Sequence, residues 1–138
     1  MTLRIGGFAT LIQVFDMPTS LRFYRDVMGF TVISDAPEDG RCDWVWLKCG
    51  ESELMLNTAY EADDRPESPD PARVSAHADV ILYFDCEDVD AAYAYFRARG
   101  VAAKEPTVTF YGMKQVYLTD PDGYELCVQQ PVEPTNAV

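Results

Sequence analysis

The sequence predicts an α+β fold in which one β-α-β-β-β module occurs twice. Three observations carry this prediction. Asp16…Gly29 and Asp88…Gly100 each frame a stretch of helical spacing between a capping aspartate and a terminating glycine, and the two frames lie 72 and 71 residues apart. An acidic stretch with Pro66, Pro69 and Pro71, residues 61–76, separates the halves. Near the end, Asp120-Pro121-Asp122-Gly123 stands between two short apolar and aromatic runs. Proline pre-sets φ, aspartate bonds its own backbone and glycine takes the positive φ, which together specify a β-hairpin.

The elements follow in order. Residues 8–15 read as a first strand. Asp16 caps a helix, Pro18 suits its first turn, Leu21, Tyr24 and Met28 share one face, and Gly29 stops it. Phe30–Ser34 is β-branched and reads as a strand, and Asp35–Gly40 is a loop by composition. Cys42–Cys49, with Trp44 and Trp46, is an aromatic strand that turns at Gly50-Glu51 into a further strand, Ser52–Thr58. The composition of residues 61–76 predicts a surface connection with no packed element, read either as a plain linker or as a lid. Ala78–Asp85 is a strongly apolar strand. Asp88 caps a helix on which Val89, Ala92 and Phe96 align, with Arg97 and Arg99 in its last turn. Val101–Ala103 begins a strand that Glu105-Pro106 ends or bends. Lys114–Thr119 and Gly123–Gln129 form the closing hairpin, and 131–138 reads as a loose tail.

The chain of 138 residues is expected to be one domain: module one at 8–60, linker 61–76, module two 77–130 and the tail. Hydrophobic residues make up 48% and charged ones 25%, an ordinary globular balance. With 11 Lys+Arg against 23 Asp+Glu, the formal net charge is −12. That charge repels phosphate backbones and anionic lipid, so neither nucleic acid nor membrane is an expected partner. Four cysteines lack any CxxC spacing, and with the single histidine, His77, they make no zinc-finger pattern. Reduced thiols and a cytoplasmic location are the expectation; Gly6-Gly7, Gln13 and Asp16 interrupt the first apolar residues, so no signal peptide is expected, and no run approaches transmembrane length.

The strand, DPDG turn and aromatic-led strand of residues 116–130, on two such modules, resemble the vicinal-oxygen-chelate superfamily. That group includes glyoxalase I, bleomycin-resistance proteins and extradiol dioxygenases. The resemblance spans about residues 8–130. It implies an eight-stranded cupped mixed sheet with helices on the outer face, a ligand in the cup and a homodimer. Strand alternation then points Leu11, Gln13, Glu53, Met55, Asn57, Asp79, Ile81, Tyr83, Glu125, Cys127 and Gln129 inward.

Metal-dependent relatives in this superfamily hold a divalent ion with four inward histidines and glutamates. Position by position, these fall on Ala9, Glu53, Asp79 and Cys127, with His77 sharing the strand parity of Asp79. Alanine ligates nothing, and two carboxylates with one thiol are mismatched for magnesium or zinc. The resemblance therefore implies metal-independent binding of a small molecule, cationic or aromatic, at Leu11, Gln13, Trp46, Glu53, Met55, Asp79, Ile81, Tyr83, Tyr111 and Cys127. No cofactor is expected on this reading. The alternative is a divalent-metal-dependent lyase, epimerase or dioxygenase using Glu53, Asp79, His77 and Cys127. Glu53 is the candidate catalytic base: if it and Asp79 both face inward, repulsion within the pair is expected to raise one of the two pKa values. Cys127 is expected to be a buried, inert thiol rather than a nucleophile.

Overall fold

Alternate residues of the first strand, β1 (Thr10–Val14), are buried: Ile12 and Val14 are 3% and 0% exposed. This burial decides which face of the sheet meets the helix. The computed structural model describes residues 2–133, and its chain divides into two compact units, Met1–Pro69 and Asp70–Val138.

In the first unit, β1 is followed by helix α1 (Met17–Leu21), which continues as a π-helical turn over Arg22–Val27. Then come β2 (Thr31–Val32), β3 (Trp44–Cys49) and β4 (Ser52–Thr58). The sheet order is β1-β4-β3-β2, with β1 and β4 parallel and the other pairs antiparallel. Val45, Leu47, Leu54 and Leu56 continue the buried face of Ile12 and Val14, and Met17, Leu21, Phe23, Tyr24 and Phe30 complete this core. Each such side chain contributes about 1.5–3 kcal/mol by leaving water.

Asp16 caps α1 as expected. Its Oδ2 accepts from the Thr19 amide at 3.2 Å and from the Thr19 hydroxyl, while Oδ1 takes Arg65 Nη1 at 2.8 Å. Partial burial pushes its pKa up, but the Thr19 bonds and the Arg65 guanidinium outweigh that and hold it below the usual carboxylate value. A group whose folded pKa is depressed stabilises above its unfolded pKa and loses that contribution as pH falls through the folded value. Asp16→Ala is expected to cost about 1 kcal/mol at pH 7, most of it the cap, since the ion pair is exposed. Urea melts should show the gap between wild type and variant closing below about pH 4. A gap independent of pH would refute the assignment.

The second unit repeats the first. It contains β5 (Ile81–Asp85), α3 (Val89–Ala98), β6 (Thr107–Val108), β7 (Met113–Thr119) and β8 (Glu125–Pro131), preceded by helix α2 (Pro71–Ala76). Its sheet order, β5-β8-β7-β6, has the same parallel and antiparallel pairing as the first sheet. Asp88 caps α3 through the Ala91 amide at 3.0 Å. Val89, Phe96, Val116, Leu118, Leu126 and Val128 form the core beneath α3. In the hairpin turn Asp120 Oδ1 accepts from the amides of Asp122 and Tyr124 at 2.8 and 2.9 Å, which lets a carboxylate sit 5% exposed. Two four-stranded mixed sheets and their helices thus make the α+β fold, and among the described residues no helix is long and apolar enough to cross a membrane.

Four expectations need correction. Residues 61–76 lie on the surface as expected, but they carry regular structure: a 3₁₀ turn at Ala62–Asp64 and α2. Asp70 caps α2 through the Ala72 amide at 3.0 Å and Pro71 occupies its first turn, so the proline that argued against an element starts one. The strand expected from Ala78 begins only at Ile81, because His77–Asp79 is a 3₁₀ turn that ends on the Val80 N–H to His77 O bond. Ala103 makes a single bridge to Leu118, and the short strand follows at β6. The tail does not loosen at residue 131, since β8 runs to Pro131 and the Val132 amide bonds Gly112 O at 2.9 Å; residues 134–138 lie outside the described part.

Candidate functional site

The face of the first sheet opposite α1 carries the alternate side chains. Leu11, Met55 and Trp46 lie side by side across β1, β4 and β3, and Gln13 and Asn57 are paired one step along. The Asn57 amide nitrogen donates to Gln13 Oε1 at 3.2 Å. Trp44 and Trp46 meet edge to face, with ring centroids 6.2 Å apart. At one end of this face a pocket of about 540 Å³ is lined by Gly6, Gly7, Phe8, Ala9, Trp46, Glu53 and Met55. Three of the predicted site residues, Trp46, Glu53 and Met55, therefore meet in one cavity. The indole Nε1 of Trp46 is buried with no hydrogen-bond partner among the described residues. An unpaired buried donor costs about 1–3 kcal/mol.

The open face of the second sheet is polar. Its rows are Ile81–Glu125–Thr119, Tyr83–Cys127–Tyr117 and Asp85–Gln129–Gln115, taken across β5, β8 and β7. Tyr83 and Tyr117 hydroxyls are 3.4 Å apart, and Tyr117 donates to Gln115 Oε1 at 3.3 Å. Gln115 Nε2 reaches Gln129 Oε1 at 3.0 Å and the Tyr111 hydroxyl at 3.4 Å. Predicted residues Tyr83, Tyr111 and Cys127 are thus joined by Tyr117 and Gln115, which the sequence reading did not single out. The signal for both was available: they alternate with Val116 and Leu118 along β7.

Cys127 is fully buried. Burial pushes its thiol pKa up, Glu125 adds to that, and the Tyr117 hydrogen bond only partly opposes them. The thiol is therefore protonated and a poor nucleophile. The hydrogen bond with Tyr83 and partial burial likewise raise the Tyr117 phenol well above its ordinary value.

Two predicted residues are placed otherwise than the strand reading expected. Asp79 is exposed in the 3₁₀ turn rather than on a strand face. His77, in the same turn, stacks on Tyr124 with centroids 4.1 Å apart and planes at 7°, and its Nδ1–H donates to Asp122 O at 2.7 Å. The reason is a contact distant in sequence: α2 docks on the hairpin turn, and the chain unwinds from it through His77–Asp79 before β5 begins. Neither residue projects from the strand as a ligand set requires. Of the aligned positions, Ala9 has no donor, and Asp79, with His77 beside it, lies off the strand. Among the described residues no three His, Cys, Asp or Glu side chains are grouped to hold a metal.

Comparison with known proteins agrees with this architecture. The sequence model of the Glyoxalase/Bleomycin resistance protein/Dioxygenase superfamily matches residues 5–128. Protein YaeR of Escherichia coli (strain K12) is 32% identical over 115 residues, covering 80% of this chain and 84% of YaeR. The crystal structure of SMU.1112c superposes with a TM-score of 0.70 at 28% identity, over 91% of this chain and 98% of that one. TnmS3, an antibiotic binding protein from Streptomyces sp. CB03234, gives a TM-score of 0.65 at 26% identity, over 94% of this chain and 99% of TnmS3. On the repeated module, its strand order and this match over nearly all of its length, the chain belongs to the Glyoxalase/Bleomycin resistance protein/Dioxygenase superfamily.

Proposed function

We propose that this chain is a metal-independent small-molecule-binding protein. The observation that carries the reading is the first-module pocket of about 540 Å³, where the Trp46 ring, a carboxylate and a thioether share one lining. Volume and lining suit a small, partly planar ligand. Trp46 offers a stacking face, and Glu53 offers an acceptor for a cationic group. The likeness to an antibiotic binding protein supports the same reading.

The test is titration with planar aromatic cations such as proflavine and with glycopeptides of the bleomycin class. Trp46→Ala removes the stacking face, so affinity per folded molecule should fall by about tenfold, equivalent to about 1.4 kcal/mol. Glu53→Gln should weaken cationic probes alone, and the loss should shrink in high salt. Unchanged affinities in both variants would remove the site. Elemental analysis of protein purified without chelators is the second check, because a stoichiometric transition metal would overturn metal independence.

We also propose a homodimer. Leu3, Ile5, Phe8 and Phe110 are 75–99% exposed, an unusual amount of large apolar surface to leave in water. Sedimentation equilibrium should return twice the 15.5 kDa chain mass; a concentration-independent monomer would refute it.

A further inference from the structure

At the end of the first sheet where β1 and β4 finish and β3 begins, the first unit holds a second cavity, of about 600 Å³. Phe15, Asp16, Arg41, Asp43, Tyr60 and Arg65 are among its walls, and it shares no residue with the Trp46 pocket. The loop that brings Arg41 and Asp43 is fixed on both sides. Gly40 is buried at φ +73, so close to α1 that an added Cβ would stand 3.1 Å from Pro18 Cα and from Leu21 Cδ1. Three residues on, the Thr58 amide donates to Asp43 O at 2.8 Å.

A guanidinium only donates and a carboxylate only accepts, so the direction of each polar group in this cavity is certain. Arg65 Nη1 donates to Asp16 Oδ1 at 2.8 Å, and the guanidinium lies 5.4 Å from the Phe15 ring centroid. These contacts hold the group and leave Nε and Nη2, the paired edge that matches a carboxylate, without a partner among the described residues. Asp16 is occupied by this pair and by its cap. Asp43 accepts from the Thr58 hydroxyl at 3.2 Å and pairs with no cation among the described residues. Arg41, 86% exposed and 3.6 Å from Asp39, is not a fixed part of the wall. Phe15 and Tyr60 meet edge to face at 6.3 Å and supply an aromatic surface.

From this we infer that the cavity binds a short peptide by its free ends, the terminal carboxylate on Arg65 and the terminal ammonium on Asp43. The spacing sets the length. Arg65 is tied to the end of β1 and Asp43 precedes β3, with β4 between them, so they stand about two strand spacings, or about 10 Å, apart. Asp43 leans back towards β4 through Thr58, which shortens the gap. An extended dipeptide spans about 7 Å and a tripeptide about 10 Å, whereas a single amino acid is too short. A lone anion would meet Asp43 on a chain of net charge −12, and a lone cation would meet Arg65. Because Phe15 lies beside Arg65, an aromatic side chain belongs at the C-terminal residue of the peptide.

The test is calorimetric titration with Gly-Phe and Gly-Gly-Phe, against acetyl-Gly-Phe, which lacks the ammonium, and Gly-Phe amide, which lacks the carboxylate. The Arg65 side chain is 42% exposed, so each end should contribute about fivefold in affinity and no more. In Asp43→Asn the free and acetylated peptides should bind alike while the amide penalty remains. In Arg65→Gln the free and amidated peptides should bind alike while the acetyl penalty remains. A merely structural role for either residue would weaken all the peptides together. Backbone amide resonances of residues 40–43 should shift on titration, and those of residues 6–9 should not. Equal affinities for free and blocked peptides, penalties that survive both substitutions, or no binding at millimolar peptide would overturn the inference. So would shifts confined to residues 6–9. Proflavine depends on Trp46 and the peptide on Asp43 and Arg65, so this inference and the small-molecule reading fail separately.

Discussion

Gly123→Ala is expected to destabilise the protein by about 2–4 kcal/mol, well above the same change at Gly29 or Gly100. Two costs coincide at this position. Gly123 has φ +93, a conformation that side-chain-bearing residues rarely adopt. A Cβ built there would also stand 2.5 Å from Val74 O and 2.9 Å from the Val74 side chain, so α2 would have to move off the hairpin turn. Gly29 and Gly100 provide the control. Their φ values, +85 and +74, carry similar strain, but nothing lies within 4 Å of an added Cβ. Alanine at those positions should cost only about 1 kcal/mol. Thermal melts should therefore separate Gly123→Ala from the other two by several degrees. Limited proteolysis should find new cleavage near Pro71–Ala76 in the first variant alone. Three equal losses would show that α2 does not depend on this contact. His77 shares in the same docking, since it stacks on Tyr124 and bonds Asp122 O from the end of α2.

The same contact marks where sequence reading runs out. Caps and terminating glycines are local, and so Asp16, Gly29, Asp88, Gly100 and the DPDG turn were legible one residue at a time. Alternation was legible too: Ile12 and Val14 fall on the helix side, leaving Leu11 and Gln13 opposite. The docking of α2 was not. Val74 is an unremarkable residue in an acidic, proline-rich run, and only the approach of the turn from 49 residues away makes it a packed one. Because α2 docks, the chain enters β5 late, and His77 and Asp79 leave the strand on which a ligand alignment had placed them. On the second sheet, hairpin register puts Tyr117 opposite Cys127, which the turn alone predicts. The arrival of Tyr83 on the other side of Cys127 depends on the parallel pairing of β5 with β8, a non-local choice with no local signal.

Tyr24→Ala should cost about 3–5 kcal/mol, the range for removing a buried aromatic ring, and would consume much of the 5–15 kcal/mol available to a domain of this kind. Periodicity assigned Tyr24 to one face of an ordinary helix with Leu21 and Met28. After Leu21, however, the helix widens into a π turn, with the Met28 amide bonding Phe23 O at 2.9 Å. The wider turn brings two adjacent residues, Phe23 and Tyr24, into the core together, 8% and 0% exposed. Their rings meet edge to face at 5.0 Å, and Tyr24 meets Phe30 in the same way at 6.1 Å. Removing the Tyr24 ring strips both contacts and leaves a cavity that the rigid sheet behind it cannot close. Tyr24→Phe retains the ring and should lose much less. Chemical denaturation of the two variants decides the matter, because a Tyr24→Ala loss under about 1 kcal/mol would mean that the π turn relaxes to an ordinary helix and refills the space. The ring lies on the helix side of the sheet and Trp46, Glu53 and Met55 on the other. Probe affinity per folded molecule should therefore be unchanged in Tyr24→Ala, which separates loss of the fold from loss of the site.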